Sequence, residues 1–147
     1  MACDIMKDET VDVENRSSLS VANGHCWCLL CGDQNPWSLK LAFREEGGKV
    51  VTRFQPNRLL QGYEGILHGG VISALLDASM THCLFHQGIK AVTGELQVRF
   101  RHSVPYSGPV DLMAQILSFR APLYYLEAEL EYKGKTYASA KATFMKQ

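Results

Sequence analysis

The spacing of apolar and polar residues changes period twice along the chain. From residue 38, "SLKLAF" alternates, with Leu39, Leu41 and Phe43 on one side, the period of a half-buried strand. "EEGGKV" reads as a turn and "KVVTRF" as a second strand, so the two are expected to form a hairpin. "QPNRLLQGYEGIL" is a loop marked by Pro56, Asn57, Gly62 and Gly65. A helix then runs from about Gly69 to Phe85, rich in Ala, Leu and Met, with Gly88 as its stop signal. Period two returns afterwards. In "GELQVRFRH", Leu96, Val98 and Phe100 point one way and Glu95, Gln97, Arg99 and Arg101 the other. "VDLMAQILSF" follows the turn "PYSGP". In "YYLEAELEY", Tyr124, Leu126, Ala128, Leu130 and Tyr132 face inward while Glu127, Glu129 and Glu131 face water. "KGK" turns the chain into "TYASAKATFM". The order is ββ–α–ββββ, which implies an α+β domain: a mainly antiparallel sheet with one face wet and a single helix on the other.

That helix is apolar almost all round, as expected of a buried helix. One stripe differs. Gly70, Ser73, Asp77 and Thr81 follow one another at i, i+3, i+7 and i+11. An ionised Asp buried without partners costs several kcal/mol and is a poor helix former. Either Ser73, Thr81 or a neighbouring strand satisfies Asp77, or it is a general base or nucleophile in a dry cleft.

Composition narrows the setting. The 147 residues suffice for one domain with a core. Fifteen basic residues balance fifteen acidic ones, so nothing asks for nucleic acid or an anionic membrane as partner. No apolar run reaches the roughly 18 residues of a spanning helix. The polar, acidic start "MACDIMKDETVDVENRSSLS" lacks the features of a signal peptide. The expectation is a cytoplasmic protein with a flexible tail over residues 1–22 and a single domain over 23–147. Three of the five cysteines, Cys26, Cys28 and Cys31, cluster behind His25. In a reducing compartment they are expected to be thiols or metal ligands rather than disulfides. Zinc sites usually come as two separated pairs. All candidates here fall within seven residues, so the favoured reading is a packed apolar segment and no metal. Cys83 reads as core.

The "HGG" run, His68 to Gly70, adds chemistry to the helix. Glycines let a substrate approach the backbone. The first-turn N–H groups are unpaired, stand at the positive end of the dipole and suit a developing oxyanion. Asp77 lies about 12 Å further along the axis at 1.5 Å per residue, too far to serve the same carbon. A second copy related by a two-fold axis would bring an Asp77 to the other copy's glycines.

"GILHGGVISALLDASM" resembles the helix motif of the hotdog-fold thioesterases, in particular the PaaI-like acyl-CoA thioesterases, whose HGG is followed by an acid nine residues after the His. "VTGELQVRFRHSVPYSG" resembles the strand after that helix. "CWCLLCGDQNPWSLKLAF" resembles a cysteine-containing lead-in, C-x-x-C-G-x-x-N-P-x-G-L, with Ser38 in place of the usual Gly. The resemblance covers about residues 26 to 147. It implies a hotdog fold, an antiparallel sheet wrapped around a long central helix. It also implies a homodimer, often paired into a tetramer, and hydrolysis of an acyl-CoA thioester without a metal or redox cofactor. Asp77 would be the general base or nucleophile, and the Gly69 or Gly70 amide would polarise the carbonyl. Thr93 aligns with a hydroxyl residue that helps position water. Many members carry Asn or Gln six residues before the His; here Gly62 stands there, with Gln61 beside it.

His68 is expected to orient the glycine turn, or else to touch the acyl group. Arg99 and Arg101, with His102, are the candidate partners for the CoA phosphates, against a solvated basic edge. Glu95 reads as solvated, and His82 and His86 as packing or capping at the helix end. The alternative to an enzyme is a non-catalytic acyl-CoA or fatty-acyl binding module on the same fold; the retained Asp77 speaks against it. A dehydratase of the same superfold would need a His and acid pair in another helix pattern, which is absent.

Overall fold

The computed structural model describes residues 24–147, and the expected tail lies outside them. The described residues divide into two compact units that meet in sequence between Ala42 and Phe43, inside the span that the pattern reads as one domain.

Among the described residues, the larger unit holds all the helices and strands. Strands β1 (Arg44–Glu46) and β2 (Lys49–Phe54) form a hairpin whose second strand is the expected one and whose first is built from residues read as part of the turn. Its two-residue turn, Gly47–Gly48, has φ of 58° and 78°, the left-handed pair that a tight hairpin needs. A 3-10 turn, Arg58–Leu60, interrupts the following loop. Helix α1 runs Gly69–Phe85. It ends where Gly88, at φ 68°, donates to Phe85 O while Ile89 N–H donates to Leu84 O, the double bond of a Schellman end. Strands β3 (Ala91–Phe100), β4 (Val110–Arg120), β5 (Leu123–Tyr132) and β6 (Lys135–Lys146) complete the chain.

All six strands join one antiparallel sheet in the order β1-β2-β4-β5-β6-β3. The helix packs against β2 to β6. The register explains how it fits. A row of small residues crosses the sheet, Val50–Ala114–Ala128–Ala140–Val98, and the three alanines are buried. Larger side chains fill either end of the core: Leu112 and Leu130 on one side, Leu126 and Phe144 on the other. Leu75, Leu76, Met80 and Leu84 meet them from the helix and are fully buried. Ser79 is buried too and donates to Leu75 O at 2.7 Å, so its hydroxyl leaves no unmet demand. Cys83 is core as expected, and burial pushes its thiol up to about 12. His82 stacks on Phe43 with centroids 4.1 Å apart, and His86 contacts His82 O at 2.8 Å through Nδ1. These are the packing and capping roles expected of them.

The expected strand "SLKLAF" is not there: β1 begins only at Arg44. Lys40 takes φ 56° and breaks the extended run. Its ammonium donates to the carbonyls of Gly32, Asp33 and Asn35 at 2.9, 2.6 and 3.1 Å. The backbone of Leu39 and Leu41 bonds to Leu29 and Leu30. Alternation here reflects folding back inside the smaller unit, not pairing in the sheet.

β3 closes one edge of the sheet, ten residues long with only β6 beside it. Its core-facing side is half covered: Leu96 and Val98 are partly buried, while Phe100 is about half exposed, 52%. A long, partly apolar open edge is a template for another strand.

Candidate functional site

The HGG run builds the start of α1. His68 occupies the N-cap in extended backbone, and its Nδ1 accepts from Gly70 N–H at 2.8 Å. A Cβ on Gly70 would lie 3.0 Å from that Nδ1, so glycine is what keeps the cap tight. His68 therefore has the turn-orienting role, and the cap uses the Gly70 amide. The Gly69 N–H has no partner among the described residues and points from the positive end of the helix.

The loop before the helix explains the glycine at 62. Gly62 N–H donates to Ile66 O, and a Cβ at 62 would stand 3.3 Å from His68 Cδ2. A larger side chain would press on the cap. Gln61 turns into its own loop, where Oε1 accepts from Gly65 N–H at 3.3 Å.

Asp77 is half-buried, two turns along the helix. The Thr93 hydroxyl donates to its Oδ1 at 2.7 Å. Of the partners that the sequence left open, the neighbouring strand supplies this one. The other two hydroxyls of the stripe turn to the helix backbone: Ser73 donates to Gly69 O at 2.9 Å and Thr81 to Asp77 O at 3.0 Å. That is the usual i−4 habit of Ser and Thr within a helix. The β3 register shifts between Thr93 and Glu95. Gly94 is the extra residue, and a Cβ on it would meet Thr143 O at 3.4 Å. Bulges re-aim neighbouring side chains and recur beside functional sites.

An open cleft of about 730 Å³ lies beside the N-terminus of α1. Ile66, Leu67, Ile72 and Val104 give it apolar walls, and His68, Gly69, Arg101 and His102 line it as well. Phe100 stands over its floor, 3.5 Å from where a Cβ of Gly69 would be. The sequence placed Phe100 with Leu96 and Val98 on the covered side. It is half exposed because β3 has β6 on one side and no strand on the other; an aromatic at the end of an edge strand was the available signal. Asp77 and Thr93 do not line this cleft, so one chain keeps the carboxylate and the Gly69 amide apart. Arg99, on β3, and Arg101, just beyond its end, are exposed, and neither forms a salt bridge among the described residues. Glu95 is exposed as expected.

In the smaller unit, Cys28 and Cys31 are free thiols and Cys26 is in a disulfide. The expectation of thiols or metal ligands throughout fails at Cys26, because pairing depends on Cα separation in space, which spacing along the chain does not report. The Cys31 thiol donates to the Cys28 sulfur. With His25 and the amides of Cys31 and Leu30 it overcomes burial and holds Cys28 down to about 3. Cys31 is pushed far above the usual thiol range by the same bond and by burial.

Comparison with known proteins agrees with this architecture. Residues 64–131 match the family model described as the thioesterase superfamily. The chain is 27% identical over 100 residues to acyl-coenzyme A thioesterase THEM4 of Mus musculus, a match covering 67% of this chain and 43% of that protein. The chain thus spans less than half the length of this relative. Among solved structures, a phenylacetic acid degradation-related protein from Ralstonia eutropha superposes with a TM-score of 0.66 at 21% identity, over 73% of this chain and 85% of that one. A Streptococcus pneumoniae thioesterase protein solved with coenzyme A superposes at 0.69 and 15% identity, over 73% and 88%. Among the described residues no helix is long and apolar enough to cross a membrane. One helix laid across a six-stranded antiparallel sheet, with an HGG start and an acid two turns on, is the hotdog arrangement, and within it residues 64–131 are similar to the thioesterase superfamily.

Proposed function

We propose that the protein hydrolyses acyl-CoA thioesters at two equivalent sites formed across a homodimer, in the manner of the PaaI-like enzymes. The observation that carries this reading is the placement of two half-sites at opposite ends of one open edge strand. Thr93, near the start of β3, holds Asp77. Phe100, at its end, touches the Gly69 position. Antiparallel pairing of β3 with its two-fold copy, centred on Gln97 and with Gly94 bulged out, sets residue 93 of one subunit opposite residue 100 of the other. Each Asp77 then approaches the other subunit's Gly69, and the exposed edge is covered.

In this site the Gly69 N–H polarises the thioester carbonyl and stabilises the oxyanion. Asp77 takes a proton from water as it attacks, or attacks the carbonyl itself; CoA leaves as the thiol and the acyl group as the acid. The Thr93 hydroxyl fixes the rotation of the carboxylate and helps place the water. His68 positions the glycine turn. Ser73 and Thr81 hold the polar lane of the helix. Arg101, in the cleft, and Arg99, beside it, are placed for the CoA phosphates. Gln61 and Gly62 shape the rim of the acyl cleft, whose volume suits a small ligand. A pairing of two dimers leaves this chemistry unchanged.

The test is complementation between two defective subunits. Asp77→Ala removes the acid. Gly69→Pro removes the amide hydrogen and sets a ring Cβ at ordinary contact, 3.5 Å, from Phe100: position 69 is the first helical residue, where proline fits, and His68 already has the extended backbone that proline requires. Each variant alone is expected to be inactive against a panel of short, medium, long and aryl acyl-CoAs, with product release read by mass spectrometry. Mixed and reassociated, they form heterodimers with one intact site, and about a quarter of wild-type activity returns for random pairing. No recovery on mixing, with heterodimers present, refutes the shared site. Saturable binding without turnover by the wild type favours the acyl-binding module.

A further inference from the structure

The smaller unit contains a second constellation that the thioesterase chemistry does not use. His25, Cys28 and Cys31 place one ligand atom each within 4.8 Å of one another. His25 Nδ1 and Cys31 Sγ are 3.7 Å apart. A tetrahedral zinc ion with bonds of about 2.3 Å to sulfur and about 2.0–2.1 Å to nitrogen sets those two atoms about 3.5 Å apart. That pair already stands near the separation such an ion would impose, and the Cys28 sulfur lies within 4.8 Å of both.

The backbone supports the same arrangement. Cys28 N–H donates to His25 O and Gly32 N–H to Cys28 O, each at 2.9 Å, closing two successive turns. Leu30 N–H points at the Cys28 sulfur from 3.3 Å, the kind of outer bond that orients a ligating thiolate. Gly32 directly follows Cys31, and only glycine fits there. A Cβ would lie 2.5 Å from Cys28 N and 2.6 Å from the carbonyls of Cys26 and Cys28. Spacing alone argued against zinc because no second pair follows in sequence. In three dimensions His25 takes up a third position next to the Cys28–Cys31 pair.

We propose that His25, Cys28 and Cys31 bind one zinc ion, with the fourth position left to an exogenous ligand such as water. The ion would add a second cross-link to the one that the Cys26 disulfide gives this unit. The described part of this unit, residues 24–42, contains no helix or strand. So short a stretch makes little core, and units of this size are commonly held by metals or disulfides. Two thiolates and an imidazole favour zinc over magnesium or calcium. The ion would fasten the turns around Gly32 and Lys40 and would take no part in thioester hydrolysis.

Cobalt(II) replaces zinc in such sites and makes the coordination visible. The full chain, purified with a phosphine reductant and stripped by a chelator, is titrated with cobalt. Expected are saturation at one equivalent, the visible bands of a tetrahedral ion, a near-ultraviolet sulfur-to-cobalt band, and displacement by zinc. The Cys28→Ser/Cys31→Ser double variant should lose uptake, and His25→Asn should weaken it at least about tenfold. Unchanged cooperative melting of the hotdog unit in both variants excludes general misfolding as the cause. The proposal is overturned if the wild type takes up no cobalt, if the spectrum lacks the sulfur band, or if the double variant binds like the wild type.

Discussion

Two polar clusters in this chain are assembled in opposite ways. His25, Cys28 and Cys31 lie within seven residues, and hydrogen-bonded turns inside that segment converge them. Asp77 and Thr93 are sixteen residues apart. They meet because a buried helix and an edge strand are each fixed by the whole sheet. The local cluster depends on a few backbone conformations, above all a position where only glycine fits. The other depends on core packing: Thr93 pairs across the strands with Phe144, which is fully buried. A site of the second kind is only as well positioned as the core beneath it.

Four substitutions sharpen this contrast, from the largest effect to the smallest. Asp77→Ala should lower acyl-CoA turnover by about 10³-fold, within the range for loss of a general base. Its melting temperature should stay close to wild type, since the side chain is only half-buried; turnover within tenfold of wild type would remove Asp77 from the chemistry. Phe144→Ala should cost about 3–5 kcal/mol in urea unfolding and loosen the Thr93 end of β3 as well. A loss below 1 kcal/mol would mean that the β3–β6 register does not depend on this side chain. Thr93→Ala should reduce kcat about tenfold, the effect of about one hydrogen bond to a charged group, with Thr93→Ser restoring most of it. If Ser fails to restore activity, Thr93 acts through packing and not through its hydroxyl. His68→Ala removes the cap on Gly70 and should cost about 1 kcal/mol of stability, read from the same unfolding curves. A larger drop in turnover than in stability would show that the cap also aims the Gly69 amide.

Much of this was legible along the chain, for identifiable reasons. The helix limits follow from a non-helical residue before Gly69 and from Gly88 after Phe85. Period-two alternation placed Tyr124 to Tyr132 because β5 is an inner strand with neighbours on both sides. The same pattern misled at "SLKLAF", where Lys40 satisfies three carbonyls at once and the chain turns back. At Phe100 it placed the residue on the right face, with Leu96 and Val98, but no strand lies outside β3 to cover it. Periodicity reports which residues share a face; it does not report whether anything covers that face.

The sequence by itself determined the element order, the apolar helix, the glycine start and the presence of one acid on that helix. These follow from local propensity and from the period of burial, which act over a few residues. Only the tertiary structure decided which hydroxyl reaches Asp77, that His68 occupies the Gly70 amide while Gly69 keeps its own, and that β3 lies at an open edge. Those outcomes depend on strand order and register, which are set by the packing of residues far apart in the chain.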